Sequence, residues 1–408
     1  MVYDCVVIGG GAAGFFSALA LKERKPHARI LILEKSNKLL AKVRVSGGGR
    51  CNVTHACFEA QVLSKNYPRG EKNLKNLFKT FQTSDTVAWF EKRGVKLHTE
   101  ADGRVFPVTN SSETIIQCFL QEAQRTKIEI RTSAEVKSFS LTEGVYTVSL
   151  AQEQVQTKNL VIATGGYPKL ESYQWIAESA DVSLESPVPS LFTCNIPQSP
   201  LEDLAGISVP KAQVKITGTK LAYSGPLLIT HWGLSGPAIL KLSAWGARIL
   251  ADKNYEYTLH INWCAQNTED SLTGDLLTYK SAHAKRLVSS HPLYELPQRL
   301  WKRLVMLAEI PEDLRWLDMS KKQMNKLKEN ILRFECQVKG KSTFKEEFVT
   351  CGGISWDNLQ LQTLEAKSSP GLFFAGEVLD ADGITGGFNF QNAWTTAYVA
   401  AQAISERI

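Results

Sequence analysis

The chain of 408 residues carries 43% hydrophobic and 22% charged residues with a net charge of +6, the balance of a folded globular protein with room for two or three domains. No apolar run reaches the roughly 18 residues needed to cross a bilayer, and Met1-Val2-Tyr3-Asp4 lacks the basic flank and apolar length of a secretory leader. A cytoplasmic location with no membrane partner is therefore expected, and the modest positive charge permits a polyanionic partner without demanding one. Eight cysteines without a C-x-x-C pair indicate neither a zinc site nor a disulfide framework. In a reducing compartment each reads as a small buried hydrophobe.

Residues 3–8, Tyr-Asp-Cys-Val-Val-Ile, read as a short buried strand. Gly9-Gly10-Gly11-Ala12-Ala13-Gly14 follows, then a helical run over Phe15–Lys22 and a second strand, Ile30–Leu33, ending on Glu34. Gly9 allows a tight turn, Gly11 lets the backbone approach a pyrophosphate, and Gly14 lets helix and strand pack closely. Ala12 and Ala13 complete the turn, and the amide end of the helix that follows faces the phosphates. Glu34 lies about 20 residues past Gly14, where a carboxylate accepts from a ribose hydroxyl. A lone GxGxxG turn is weak, but here strand, helix, second strand and acid stand in register. The chain is expected to bind a dinucleotide.

Ser46-Gly47-Gly48-Gly49-Arg50-Cys51-Asn52 comes next. Its glycines would let backbone amides meet a ring or pyrophosphate, and Arg50 would neutralise a phosphate or the substrate. The plain alternative is a structural turn with a solvated arginine. Further on, Ile128–Thr132 and β-like runs at 134–140, 145–150 and 155–162 lead into Ala163-Thr164-Gly165-Gly166. This reads as a meander and a closing strand that brings the chain back to the cofactor phosphates.

Pro187, Pro189, Pro197 and Pro200 punctuate an exit from this unit. Residues 191–265 alternate apolar and polar, as an antiparallel barrel or sandwich does. Residues 266–332 change to helix-like leucine spacings broken by Pro292, Pro297 and Pro311, and a strand from Arg333 to Lys339 is expected to return to the barrel. Residues 266–345 hold fifteen Lys and Arg against ten Asp and Glu. Ser320–Lys328 and Lys302-Arg303, with Trp301 and Trp316 nearby, suit phosphate contact and base stacking. A solvated amphipathic face would read the same way.

The last sixty residues decide between dinucleotides. Gly371–Gly376 form a buried strand ending in Ala-Gly-Glu377, followed by Asp380, Asp382-Gly383, Gly386-Gly387-Phe388-Asn389 and a helix from Gln391 to about Ser405. This is similar to the C-terminal element of glutathione-reductase-type flavoproteins. There an acid meets the ribityl chain, and a helix N-terminus faces the flavin pyrimidine edge. A plain NAD enzyme has no use for it, so FAD is expected. The acids suit hydroxyls better than a cation, which would want more oxygen ligands, so no metal is expected.

The expected fold is α/β. It comprises a discontinuous FAD-binding Rossmann domain of the glutathione-reductase type (1–190 and 349–408), an inserted β-barrel-like domain (191–265 and 333–348) and a helical insert (266–332).

Five motifs taken together resemble the BaiN/RdsA-like family of NAD(P)/FAD-dependent oxidoreductases, which includes aminoacetone-oxidase-like proteins. They are Lys42-x-x-x-Ser46-Gly-Gly-Gly-Arg50-Cys51-Asn52-x-Thr54, Gly103-Arg-Val-Phe-Pro107, Thr230-His231-x-Gly233-x-Ser235-Gly236-Pro237, Val349-Thr350-x-Gly352-Gly353, and Gly376–Asn389. The match runs the length of the chain. It departs after Gly166, where the family's Gly-Ser-Thr-Gly-Asp-Gly stretch is replaced by Tyr167–Tyr173, at His55 and at Cys351. The cofactor-binding set also takes in Lys35, Lys42 and Val136.

For chemistry, a Cys51 thiol beside the flavin would serve as the acid that completes reduction of a C=C bond, against a bland buried-cysteine reading. His231 would project over the ring from the inserted region, against a plain turn histidine. The resemblance implies NAD(P)H as a transient reductant, since no second GxGxxG unit is present. It implies, as substrate, a uridine of 23S ribosomal RNA reduced to dihydrouridine. The alternatives are a small-molecule flavoenzyme, either an amine oxidase of aminoacetone type or a bile-acid-type enone reductase, and a flavin carrier without turnover. The active site is expected on the flavin face opposed by residues 191–348.

Overall fold

The computed structural model describes residues 2–342 and 349–408. Met1 and residues 343–348, the far end of the expected return segment to the barrel, lie outside the described residues. The chain divides into two compact units, one built from residues up to Ser190 together with the C-terminal residues, the other from Leu191 onward through Ser342.

In the first unit, strand β1 (Val2–Ile8), helix α1 (Ala12–Arg24) and strand β2 (Ile30–Leu33) form in chain order. Five parallel strands lie side by side as Glu129–Arg131, β2, β1, Gln154–Ile162 and Leu372–Phe374. Taken in chain order this is 3-2-1-4-5, the arrangement of a doubly wound nucleotide-binding sheet. The central strands, β1, β2 and Leu372–Phe374, are covered on both faces, which is why they read as largely apolar runs, whereas the edge strand Glu129–Arg131 is partly exposed. Their register aligns the strand ends. Ile8 pairs with both Leu33 and Ile162, and Ile162 pairs with Phe374, so Gly9, Glu34, Ala163 and Ala375 leave the sheet at one edge.

The strand Gln154–Ile162 serves two structures. Along one edge it pairs with β1 from Gln156 to Ile162; along the other its first half pairs antiparallel with Val145–Ser149, itself paired with Ser138–Thr142, and its second half pairs parallel with Leu372–Phe374. Helix α1 packs against the C-terminal helix Phe388–Ser405. Beneath them Phe16 sits 4.7 Å from Trp89 and 5.3 Å from Trp394, ring to ring. The C-terminal helix begins at Phe388, three residues before the position expected from its apolar pattern. Gly387, with φ of +93°, ends the preceding loop and lets the chain enter the helix at once.

The second unit is a sheet that closes on itself. The strand Phe334–Lys339 pairs with Glu256–Asn262, and its continuation past Gly340, Lys341–Ser342, pairs with Thr193–Asn195 at the sheet's other end. Residues 237–252 are not strand, as alternation over 191–265 suggested, but the helix Pro237–Asp252. Pro237 occupies its first turn, and Ala238, Ile239, Leu242, Ala247 and Leu250 form a buried stripe at helical spacing. Helices Glu269–Ala282, Gln298–Leu307 and Lys321–Leu332 follow. Between them the leucine-rich stretches around Leu287 and Leu314 form short turns joined by a bridge from Leu287 to Arg315. Barrel strands and helices share one core, with Trp263, Trp301 and Trp316 fully buried in it.

Candidate functional site

The strand ends of the first unit collect the glycine-rich segments. An added Cβ on Gly9 would lie 2.3 Å from Ala163 O, one on Gly14 would lie 1.9 Å from Gly9 O, and one on Gly376 would lie 2.8 Å from Ala13 Cβ. Backbone at Gly9 and Gly14, and the Ala13 methyl at Gly376, therefore leave room only for glycine. Gly11 differs: a Cβ there would meet no atom of the described residues within 4 Å. It is the N-cap of α1, and no side chain caps that helix end among the described residues. The first-turn residues Ala12, Ala13 and Gly14 thus present their amides beside open space.

Glu34 is held by both oxygens. Gly10 N donates to Oε2 at 2.8 Å and Ser36 N to Oε1 at 2.9 Å. Each oxygen keeps a second lone pair for a hydroxyl. Ala134 N donates to Glu34 O at 2.9 Å, bringing the segment with buried Val136 alongside. Lys35 Nζ stands 5.2 Å from the centre of the Tyr167 ring.

The segment after β2 forms helix α2 (Ala41–Gly49), broken at Ser46, Gly47 and Gly48, the last two with positive φ. The residues just after this break, Asn52–His55, meet the start of the C-terminal helix. Gly387 leaves no room for a Cβ, which would lie 2.5 Å from Thr54 O and 2.8 Å from Asn52 Oδ1. His55 Nδ1 lies 3.0 Å from Gly386 O, and its ring stacks on Phe388 at 4.6 Å. Thr54 Oγ1 donates to Gln391 Oε1 at 2.6 Å. Two motifs more than 330 residues apart are thereby joined.

A second junction forms around Glu377. Lys42 Nζ approaches its Oε2 to 2.6 Å, and Thr350 N donates to its Oε1 at 3.0 Å. Gly165 and Gly166 lie directly beside Glu377 and Thr350, and Thr164 precedes them at the strand end. Thr350 Oγ1, Asn52 Oδ1 and Asn392 Oδ1 are buried without a hydrogen-bond partner among the described residues. Buried polar atoms are rarely left so, and these three mark where a bound molecule's polar groups belong. The C-terminal helix also has no side-chain cap among the described residues.

Several expected site residues are engaged within the chain. The Arg50 guanidinium meets Glu100 Oε1 at 2.6 Å and Asn110 Oδ1 at 2.7 Å, and lies 3.9 Å above the Phe106 ring. Glu100 pairs with it and also with Arg104 at 2.7 Å, so the guanidinium is engaged within the chain. Asn389 brackets Gly383, accepting from its N at 2.8 Å and donating to its O at 2.9 Å, so both ends of its amide brace a loop. Trp356 Nε1 donates to Asp380 O at 2.7 Å. Cys51 is 0% exposed in the apolar core, with φ of +60°. Burial pushes its thiol up to about 12, against a smaller lowering by the Ser46 hydroxyl. In this position it packs as a small hydrophobe. His231 belongs to the second unit, exposed on a turn.

The sequence reading named Asp382 as an acid for cofactor hydroxyls, and the buried partner it meets instead, Arg69, escaped it. Asp382, fully buried, pairs with Arg69 through both oxygens and accepts from Ser190 Oγ at 2.7 Å. Desolvation raises its pKa to about 6, the Arg69 and Ser190 contacts opposing. Tyr67 O–H donates to Phe388 O at 2.6 Å in the same region. Nothing local in Tyr67-Pro-Arg69-Gly70 marks it. Only the acid in Gly376–Asn389 offered a signal.

The basic insert is also internally paired. Lys302 meets Glu312, Arg303 meets Asp203, Lys326 meets Glu309, and Arg333 meets Glu269. Lys321 and Lys322 stand exposed at the start of their helix.

Residues 3–403 match the HI0933-like protein Rossmann domain. The chain belongs to this family. It is 31% identical, over 98% of its length and 97% of the relative's, to the ribosomal RNA dihydrouridine synthase of Escherichia coli K12. It is 24% identical, over 98% of both chains, to the 3-dehydro-bile acid delta(4,6)-reductase of Clostridium scindens. Among solved structures, a 3-ketosteroid delta1-dehydrogenase from Sterolibacterium denitrificans, in complex with 1,4-androstadiene-3,17-dione, superposes over all of both chains with a TM-score of 0.53 at 12% identity. That likeness speaks to the fold.

This HI0933-like protein is an FAD-dependent oxidoreductase with a Rossmann-type FAD-binding domain. The residues present fit the cofactor. The open side of Gly11, two uncapped helix ends, an anchored Glu34 and three partnerless buried oxygens form a cradle for a long polar ligand.

Proposed function

We propose that the protein reduces the C=C bond of a uridine in 23S ribosomal RNA, in the cytoplasm, with NAD(P)H supplying the reducing equivalents. The observation behind this reading is the end-to-end similarity, at 31% identity, to a protein named ribosomal RNA dihydrouridine synthase. FAD, when bound, supplies hydride transfer between nicotinamide and substrate.

The chain's own groups have positioning tasks. The amide end of α1, with Gly11 open beside it, would hold the pyrophosphate, and Glu34 would accept from the adenosine ribose. Lys42, Glu377 and Thr350 would meet the ribityl hydroxyls. The N-terminus of helix Phe388–Ser405 carries partial positive charge that would stabilise negative charge on the pyrimidine edge. The exposed His231 imidazole is the candidate to deliver the proton that saturates the base. Lys321 and Lys322 suit RNA phosphates.

The deciding measurement is dihydrouridine mapping of ribosomal RNA from a strain lacking the gene. Loss of one modified position supports the reading, and unchanged RNA overturns it. Anaerobic mixing with NADPH is expected to bleach the flavin. Bleaching by aminoacetone with none by NADPH would favour an amine oxidase instead. A second reading, reduction of a small enone, is favoured by the full-length similarity to the bile-acid reductase.

A further inference from the structure

The second unit holds a cavity of about 400 Å³ beside the turn Thr230–Gly233. Small-ligand pockets span roughly 300–1,000 Å³, so this one admits a nucleotide and excludes a duplex. Trp232 lines it and is 73% exposed, the most exposed large apolar side chain among the described residues. An indole so displayed forgoes the burial that aromatic side chains ordinarily gain.

Its mount is rigid. Thr230 N donates to Gly233 O at 2.8 Å, Gly233 N donates to Thr230 Oγ1 at 3.2 Å, and Ile196 N donates to Trp232 O at 2.9 Å. Gly233 is pressed so closely on the neighbouring strand that a Cβ would lie 2.1 Å from Cys194 O. The backbone that carries the indole is therefore fixed, and the turn has little of the entropy a mobile loop would lose on binding.

The remaining walls are chemically mixed. Ile196 and Ile229 are buried apolar residues, Asn195 and Gln198 bring carboxamides, that of Asn195 already accepting from Ser342 Oγ at 2.8 Å, and Lys339 and Glu202 bring one charge of each sign. An aromatic face, carboxamide donors and acceptors, and a nearby cation are the means by which single-stranded RNA is held: stacking, edge recognition and phosphate contact.

We propose that this cavity binds one unstacked nucleobase of an RNA strand, stacked on Trp232, with the carboxamides of Asn195 and Gln198 on its edge and Lys339 at its phosphate. The proposal rests on the reading of the substrate as RNA and adds a recognition site for it.

The test uses the full-length, FAD-loaded protein and a fluorescently labelled single-stranded oligoribonucleotide, with an abasic version of the same chain, followed by anisotropy. The wild type is expected to bind the base-bearing strand more tightly than the abasic one. Trp232→Ala is expected to weaken binding by roughly five- to 150-fold, the range of one base–aromatic stack, and to erase the preference for bases. Trp232→Phe is expected to retain most of the affinity. Wild-type affinity in Trp232→Ala, or equal binding of base-bearing and abasic strands, overturns the proposal. So does a cavity that takes a free planar compound but shows no base dependence with RNA. If Trp232→Ala loses RNA affinity while ribosomal RNA from the deletion strain is unchanged, the cavity stands and the assigned reaction fails. If the deletion removes a dihydrouridine and Trp232→Ala binds as wild type, the reverse holds.

Discussion

Lys42 Nζ lies 2.6 Å from Glu377 Oε2, although 335 residues of chain separate them. The other oxygen of Glu377 accepts from Thr350 N at 3.0 Å, and Gly165 and Gly166 pack alongside. One carboxylate thus gathers the segment after β2, the strand end at 163–166, the strand Val349–Ile354 and the C-terminal strand. The Lys42 side chain is 49% exposed, so Lys42→Met should change stability by less than about 1 kcal/mol. Glu377→Ala should do more to the cofactor than to the fold. It removes a charged acceptor, and FAD affinity should fall roughly ten- to hundredfold. Flavin fluorescence titration beside a thermal melt checks both, and a large melting shift with intact FAD affinity would contradict this division.

Gly11 and Gly14 share a motif but answer to different neighbours. At Gly14 an added methyl meets Gly9 O at 1.9 Å, whereas at Gly11 it meets nothing among the described residues. Gly14→Ala should therefore destabilise the apoprotein by several kcal/mol or abolish soluble expression. Gly11 has φ of −94°, which alanine adopts freely, so Gly11→Ala should fold as well as the wild type and purify without FAD. Apoprotein that melts early in Gly11→Ala would contradict this account.

The buried pair of Asp382 and Arg69 predicts a pH signature. Removing one member leaves a buried charge alone, at a cost of about 3–5 kcal/mol near neutrality, so Arg69→Met should be strongly destabilised at pH 7. The folded-state pKa of Asp382 is raised to about 6, above its value of about 4 in the unfolded chain. Its contribution is then full below pH ~4 and is lost as pH rises toward 6. Loss of Arg69 raises that pKa further, so the deficit of Arg69→Met should grow with pH between about 5 and 8. Denaturant melts across that range test it, and a deficit that shrinks as pH rises is the opposing result.

Seven of the eight cysteines are buried, and Cys57 alone is partly exposed. Burial raises the thiols of Cys5, Cys51, Cys118, Cys194, Cys264 and Cys336 well above the usual range. Burial raises the Cys57 thiol too, so a thiol reagent at about pH 8 should label Cys57 first, though slowly, and the others only on unfolding. Fast labelling of Cys51 in the native protein would restore it as a candidate acid.

Much of the architecture was legible locally. Unbroken apolar runs identified strands covered on both faces, and the spacing from Gly9 to Glu34 identified a turn, a helix end and an acid in one register. These signals survive in sequence because strand periodicity, helix caps and glycine turns are set by residues a few positions apart. The helix Pro237–Asp252 was lost among alternating strands, although Pro237 and its apolar stripe were there to be read.

What the sequence determined by itself was the kind of cofactor and the two glycine-rich chain ends that the structure brings to one edge of the sheet. Tertiary structure alone decided how particular groups are used. Glu100 pairs with Arg50, Asn389 braces Gly383, Cys51 lies inside the core, and Arg69 meets Asp382. Each outcome depends on which side chains arrive from distant segments and how far they are removed from water. Charge pairing and desolvation are properties of the packed chain, and no local pattern encodes them.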